Sequence, residues 1–141
     1  MKKRILIVGA CGFAGSKIYE ILANNFNVIG TCRTGQHNGY KKFDVINECE
    51  MDKLIESISP DIIIYASAIT DVDYCEMNPS LANLVNAHSI RLISKKNKSK
   101  LIYLSTDYVF DGKKGTYSER DCPNPVNKYG LSKLNRNFDH F

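Results

Sequence analysis

The sequence predicts an α/β fold built on a doubly wound parallel sheet, and three observations carry that prediction. Short apolar runs alternate with amphipathic stretches, most of the runs are too far apart for hairpins, and a glycine-rich turn follows the first run directly. Strands separated by helical segments of about a dozen residues need crossover connections, which make neighbours parallel. Right-handed crossovers then place helices on both faces of the sheet.

The elements follow in order. Residues 5–8 (Ile-Leu-Ile-Val) form a continuous aliphatic run, as expected of a strand buried on both faces. Residues 16–23 carry Ile18, Tyr19, Ile21 and Leu22 at helical spacing, and Asn24-Asn25 closes them. Residues 27–32 read as a second strand, residues 33–40 as a loop with two glycines, and residues 42–45 as a short third strand. Met51, Leu54, Ile55 and Ile58 recur at i, i+3, i+4 and i+7, a helical stripe ended by Pro60. Residues 61–65 (Asp-Ile-Ile-Ile-Tyr) predict a fourth strand. Residues 79–98 read as one long helix with Leu81, Leu84, Val85, His88, Leu92 and Ile93 on one side and lysines at its end, which suits the helix dipole. Residues 101–104 are a fifth strand, residues 106–125 a loop rich in Gly, Pro and charge, and residues 127–141 a final helix with an apolar stripe of Leu131, Leu134, Phe138 and Phe141.

Composition narrows the function classes. The chain has 141 residues, 43% of them hydrophobic and 24% charged, enough for one core without staples and too few for a second full domain. Its net charge of +4 is spread out, and the cluster Lys95, Lys96, Lys98 and Lys100 reads as a solvated helix end, so no nucleic-acid partner is expected. No apolar run approaches the roughly 18 residues of a membrane span, and no signal-peptide core follows Met1-Lys2-Lys3-Arg4, so a cytoplasmic location is expected. The five cysteines (Cys11, Cys32, Cys49, Cys75, Cys122) are irregularly spaced and read as reduced packing thiols. His37, His88 and His140 lack ligand spacing, so no metal is expected.

Chemistry enters at the turn Gly9-Ala10-Cys11-Gly12-Phe13-Ala14-Gly15, a G-x-x-G-x-x-G between a predicted strand and a predicted helix. Gly9 permits the tight turn, Gly12 lets backbone approach a pyrophosphate, and Gly15 lets the helix sit close; free N–H groups at the helix start then face the phosphates. An acidic residue after the second strand would read the ribose of NAD. Here Arg33 stands instead, with Thr31 and Thr34 beside it, so NADP(H) is the expected cofactor.

Tyr129 and Lys133 lie one turn apart on the last helix, downstream of Ser105-Thr106 at the end of the fifth strand. Ligands of parallel sheets bind beyond the carboxyl ends of the strands, which is what raises this pair above the roughly one Tyr-x-x-x-Lys expected by chance. A phenol is a weak acid–base group near neutral pH, and a neighbouring ammonium favours its ionised form.

Gly9–Gly15, Asp44-Val45 after the third strand, Ala66-Ser67-Ala68 after the fourth, Asn86 and Tyr129-x-x-x-Lys133 together resemble the extended short-chain dehydrogenase/reductase superfamily. Val72-Asp73-x-x-Glu76, and above all Ser105-Thr106-Asp107-Tyr108-Val109-Phe110-Asp111-Gly112, resemble the dTDP-4-dehydrorhamnose reductase family across residues 4–134. The resemblance implies a Rossmann-like, NADP(H)-dependent reductase of the 4-keto group of a dTDP-linked 6-deoxyhexose in dTDP-rhamnose and polysaccharide biosynthesis. It gives Tyr129 the role of general acid, Lys133 that of orienting the nicotinamide ribose, and Thr106 that of bonding the substrate carbonyl. Asp44 and Val45 would flank the adenine, and Ala66, Ser67 and Ala68 the nicotinamide side. Asp73 and Glu76 fit equally a substrate contact or a helix charge pair.

Family members continue past this point into a lobe that grips the nucleotide sugar. Residues 1–141 are therefore expected to form the NADP-binding domain with the substrate lobe absent, whether as a fragment, a truncated frame or a stand-alone protein. Self-association into a homo-oligomer is expected where the terminal stripe lacks cover. Two alternatives stay beside the reductase: a non-catalytic NADP-binding regulator of methionine adenosyltransferase, and a nucleotide-sugar epimerase or dehydratase.

Overall fold

β1 (Arg4–Val8), β2 (Asn27–Cys32), β3 (Lys41–Lys42), β4 (Ile62–Tyr65) and β5 (Lys100–Tyr103) form one sheet in the order β3-β2-β1-β4-β5. All four pairings are parallel, with Ile7 opposite Gly30 on one side and Ile64 on the other. The computed structural model describes residues 2–34, 39–96 and 98–135. The strand order reverses at β1, so the carboxyl ends of β1 and β4 mark the switch point at which ligands of such sheets bind. This is the doubly wound, Rossmann-like arrangement that the apolar runs predict.

Two compact units make up the chain. The first, Met1–Ser67 with Leu92–Leu104, holds the whole sheet. Ile5, Leu6, Ile7 and Val8 are all buried, which explains why β1 has no polar alternation. α1 (Phe13–Ala23) lays Ile18, Tyr19 and Leu22 against Ile5, Ile7, Ala10 and Ile64. α2 (Glu48–Ile58) starts where the Asn47 side chain accepts the Glu50 N–H and ends at Ser59, whose left-handed φ of 45° turns the chain into Pro60.

The second unit, Ala68–Arg91 with Ser105–Phe141, carries α3 (Val72–Met77), α4 (Pro79–Asn83), a π turn (Leu84–His88), the start of α5 (Ser89–Lys96), a 3-10 turn (Asp107–Val109) and α6 (Lys128–Leu134). Cys75, Ala82 and Tyr129 form its core cluster, with Ile69 and Val72 packed against them.

Several expectations are corrected. The third strand is two residues long, because Asp44 accepts the Asn47 N–H on its carbonyl and the Ile46 N–H on its carboxylate, turning the chain at once. α3 is absent from the run of elements predicted along the chain, where only the charge-pair reading of Asp73 and Glu76 implies a helix. The single long helix is interrupted by the π turn, where both the N–H and the hydroxyl of Ser89 donate to the Leu84 carbonyl. Cys11 and Cys32 are joined in a disulfide rather than free, while Cys49, Cys75 and Cys122 are thiols. Parallel pairing of β1 with β2 brings those two together across 21 residues, a proximity no cysteine spacing reveals. Of the terminal stripe, Leu131 and Leu134 are described, and Phe138 and Phe141 lie outside the described residues.

Candidate functional site

Candidate residues fall in both units, each of which has its own geometry. In the first, β1 runs into Gly9, whose φ of +88° is the left-handed conformation that favours glycine. A Cβ there would also stand 2.7 Å from the Ser67 backbone nitrogen, so Gly9 and the end of β4 are in close backbone contact. Gly15 is equally constrained, since its Cβ would meet the Gly9 carbonyl oxygen. Gly12 differs. Its φ of −76° is ordinary, and among the described residues a Cβ would have only the Gly9 oxygen nearby, at 3.4 Å. No packing among the described residues requires a glycine at position 12.

Gly12 is also the N-cap of α1, and no side chain among the described residues caps that helix start. The adjoining Phe13 is fully exposed at 100%. The turn is pinned to β2 by the Ala10 N–H on the Thr31 carbonyl (2.8 Å) and the Gly9 N–H on the Thr31 hydroxyl (3.3 Å). Thr31 is buried and its hydroxyl also donates to the Ile7 carbonyl, so this side chain serves the turn rather than a ribose. Arg33 and Thr34 are exposed just past β2. Asp44 is half-buried, Val45 is buried, and Ala66 and Ser67 are half-buried at the carboxyl end of β4.

In the second unit, α6 presents Tyr129 and Lys133, both buried, at 8% and 3% exposure. Tyr129 packs on Cys75 and Ala82 and meets Tyr108 edge-on, ring centroids 5.6 Å apart. Burial, with Asp71 and Glu76 adding, pushes the Cys75 thiol up in pKa, so it is a packing thiol beside the phenol. Thr106 opens the 3-10 turn, its hydroxyl oxygen accepting the Tyr108 N–H at 3.3 Å. Gly130 is what brings this turn and α6 together: a Cβ on it would strike the Tyr108 carbonyl. Thr106, Tyr108, Tyr129 and Lys133 thus belong to one packed substructure. Ala68, also in this unit, is half-buried.

The start of α6 is fixed twice. Asn127 accepts the Gly130 N–H at 2.7 Å, and the Glu76 carboxylate accepts the Lys128 N–H at 2.6 Å across 52 residues. Glu76 therefore caps the helix that bears Tyr129, a role neither sequence reading gave it. Asn86, fully buried in the π turn, accepts the Ile69 N–H and donates to the Ile69 carbonyl and to Ser132, whose hydroxyl donates to the Tyr129 carbonyl. Ser132 and Gly130 carried no sequence signal, because their partners lie far away along the chain.

The first unit offers a strand–glycine turn–helix with no side-chain cap on its helix start, and the second a buried Tyr/Lys pair on a helix packed against the 3-10 turn that Thr106 opens. Residues 2–137 match the family model described as RmlD substrate binding domain. The chain belongs to that family.

Within and around the RmlD family, the chain is 35% identical to methionine adenosyltransferase 2 subunit beta of Danio rerio over 134 residues, which is 94% of this chain and 42% of that protein. It superposes with a TM-score of 0.90 on the hypothetical dTDP-4-dehydrorhamnose reductase from Sulfolobus tokodaii, 41% identical, covering 94% of this chain and 50% of that one. A TM-score of 0.86 relates it to dTDP-4-dehydrorhamnose reductase from Bacillus anthracis in complex with NADP, 33% identical, covering 96% of this chain and 48% of that one. The chain thus spans about half the length, or less, of these relatives.

Proposed function

We propose that the chain binds NADP(H) and forms the cofactor-binding part of an NADPH-dependent reductase acting on the 4-keto group of a nucleotide-linked 6-deoxyhexose. The observation that carries the cofactor reading is Gly12. Gly9 and Gly15 are glycines because the protein's own backbone leaves no room for a Cβ, whereas at Gly12 there is room that none of the described residues fills. A ligand that must touch backbone accounts for that choice, and a pyrophosphate at an uncapped helix start is such a ligand. The residues present therefore fit a dinucleotide. Gly9, Cys11, Gly12, Phe13 and Gly15 would hold its phosphates, Arg33 a 2'-phosphate, Asp44 and Val45 the adenine, and Ala66, Ser67 and Ala68 the nicotinamide side. When bound in its reduced form, NADPH supplies a hydride.

The chain's own residues supply the rest. Tyr129 is the proton donor to the carbonyl oxygen as it becomes an alkoxide, Thr106 turns its hydroxyl from the Asp107 carboxylate, 3.3 Å away, to donate to the same oxygen, and Lys133 orients the nicotinamide ribose. The caps on α6 by Glu76 and Asn127 hold Tyr129 at a fixed height on its helix, the positional precision that proton transfer demands.

A second reading rests on the resemblance to methionine adenosyltransferase subunits: a non-catalytic NADP-binding regulator. The joint retention of Thr106, Tyr129 and Lys133 favours the reductase, since regulation gives no chemical reason to keep all three. Tyr129→Phe in the full-length protein decides between them. The reductase reading expects reduction of dTDP-4-keto-6-deoxyhexose to fall about a hundredfold or more with cofactor affinity retained. Turnover equal to that of the parent would end the general-acid assignment, and no turnover by the full-length parent would favour the regulator.

A further inference from the structure

The disulfide joins two segments to which the dinucleotide reading gives different parts of one ligand. Cys11 lies in the turn ahead of α1, where a pyrophosphate would sit, and Cys32 ends β2, where the adenosine ribose is read. A ribose linking those two places must cross the gap between them. The disulfide crosses the same gap, its Cα atoms 5.5 Å apart. We propose that Cys11 and Cys32 are a redox-modification site that governs dinucleotide binding: the dithiol form accepts NADP(H), and the disulfide form, with its sulfurs across the ribose corner, binds it weakly. The inference rests on the dinucleotide reading given above.

Both states are structurally available. The β1–β2 pairing and the Ala10 N–H on the Thr31 carbonyl hold the two residues side by side without the bridge, within the Cα separation of roughly 4.4 to 6.8 Å that a disulfide needs. Reduction therefore asks for no refolding. Access is one-sided, because Cys11 is exposed and Cys32 is 2% exposed. A small-molecule thiolate attacks the Cys11 sulfur, the S–S bond breaks, and Cys32 leaves as a thiolate that takes up a proton. The Thr34 hydroxyl, 3.3 Å from the Cys32 sulfur, stands ready as its hydrogen-bond partner. A second small thiol then attacks the mixed disulfide and frees Cys11, so two small thiols are oxidised to one disulfide as the protein gains two electrons and two protons.

Linkage fixes what must be observed. A ligand that binds only the dithiol form raises the dithiol-to-disulfide ratio by a factor of one plus its concentration over its Kd, about tenfold at ten times Kd. The purified protein is equilibrated over a series of ratios of glutathione to glutathione disulfide, with and without NADP+, then alkylated and mapped by mass spectrometry at Cys11 and Cys32. NADP+ is used because it donates no electrons. The expected result is a roughly tenfold shift toward the dithiol, with Cys32→Ser, which cannot form the bridge, binding NADP+ equally tightly in every buffer. An unchanged ratio, or a shift toward the disulfide, while NADP+ binds the reduced protein, overturns the switch and leaves the dinucleotide reading standing. Failure of NADP+ to bind either form overturns both.

Discussion

Gly130→Ala tests the contact on which the geometry of the second unit depends. A Cβ at position 130 would strike the Tyr108 carbonyl oxygen well inside the 3.4 Å at which ordinary contact begins. α6 and the 3-10 turn must therefore separate, because the obstacle is backbone with no flexible end to swing away. Overpacking of this kind costs about 1 to 3 kcal/mol. Opposing it, alanine is preferred to glycine in a helix by about 1 kcal/mol. A contact this short lies at the upper end of the overpacking range, so the net expectation is a loss of about 1 to 2 kcal/mol. Urea denaturation followed by far-UV circular dichroism reads it as a lowered midpoint. Because Tyr129 meets Tyr108 edge-on, the near-ultraviolet tyrosine signal should change as well. A midpoint equal to or above that of the parent would mean that propensity outweighs the clash, and would refute the close approach of α6 to the turn.

Two further outcomes follow from the same unit. Glu76→Ala leaves the Lys128 N–H to water and should cost about 1 kcal/mol, with Glu76→Gln, which keeps an oxygen acceptor, losing less; equal midpoints for all three proteins in urea would contradict the capping role. The Tyr117 hydroxyl, the Lys113 N–H and Asn124 hold Asp111 at a pKa of about 2, and Lys114 and Ser118 do the same for Asp121. Both lie below the unfolded value near 3.9, so their contribution to loop order is present above about pH 4 and is lost as pH falls through about 2. Carboxyl NMR titration should give midpoints near 2, together with loss of the Phe110–Tyr117 stack, and midpoints near 4 would contradict the hydrogen bonding.

The strands were legible because burial on both faces leaves uninterrupted apolar runs such as residues 5–8, and the glycine turn was legible because it sits between a strand and a helix. What escaped reading has tertiary causes. α3 is six residues long, too short to show a period, and is defined by Asp71 accepting the Tyr74 N–H and by Cys75 packing in a cluster drawn from three parts of the chain. The π turn looked helical in sequence, since only the partners of Asn86 and Ser89 distinguish it. Thr31 reads in sequence as one of two hydroxyls available beside Arg33, although the hydrogen bonds between β1 and β2 claim its hydroxyl. Glu76 is ambiguous for the same reason: a carboxylate at the fifth position of a helix does not reveal that its partner is residue 128.

If the glycine turn holds a dinucleotide, Gly12→Asp has two effects of opposite sign. At an extended N-cap position with open space around its Cβ, aspartate is a better cap than glycine, so stability should be unchanged or raised by a few tenths of a kcal/mol. The same carboxylate takes the α1 N–H groups and repels a pyrophosphate, so NADPH affinity measured by fluorescence titration of the reduced protein should fall by about a hundredfold, or roughly 2.7 kcal/mol. A variant that folds as stably as the parent and binds NADPH just as tightly would show that the glycine turn does not hold the dinucleotide.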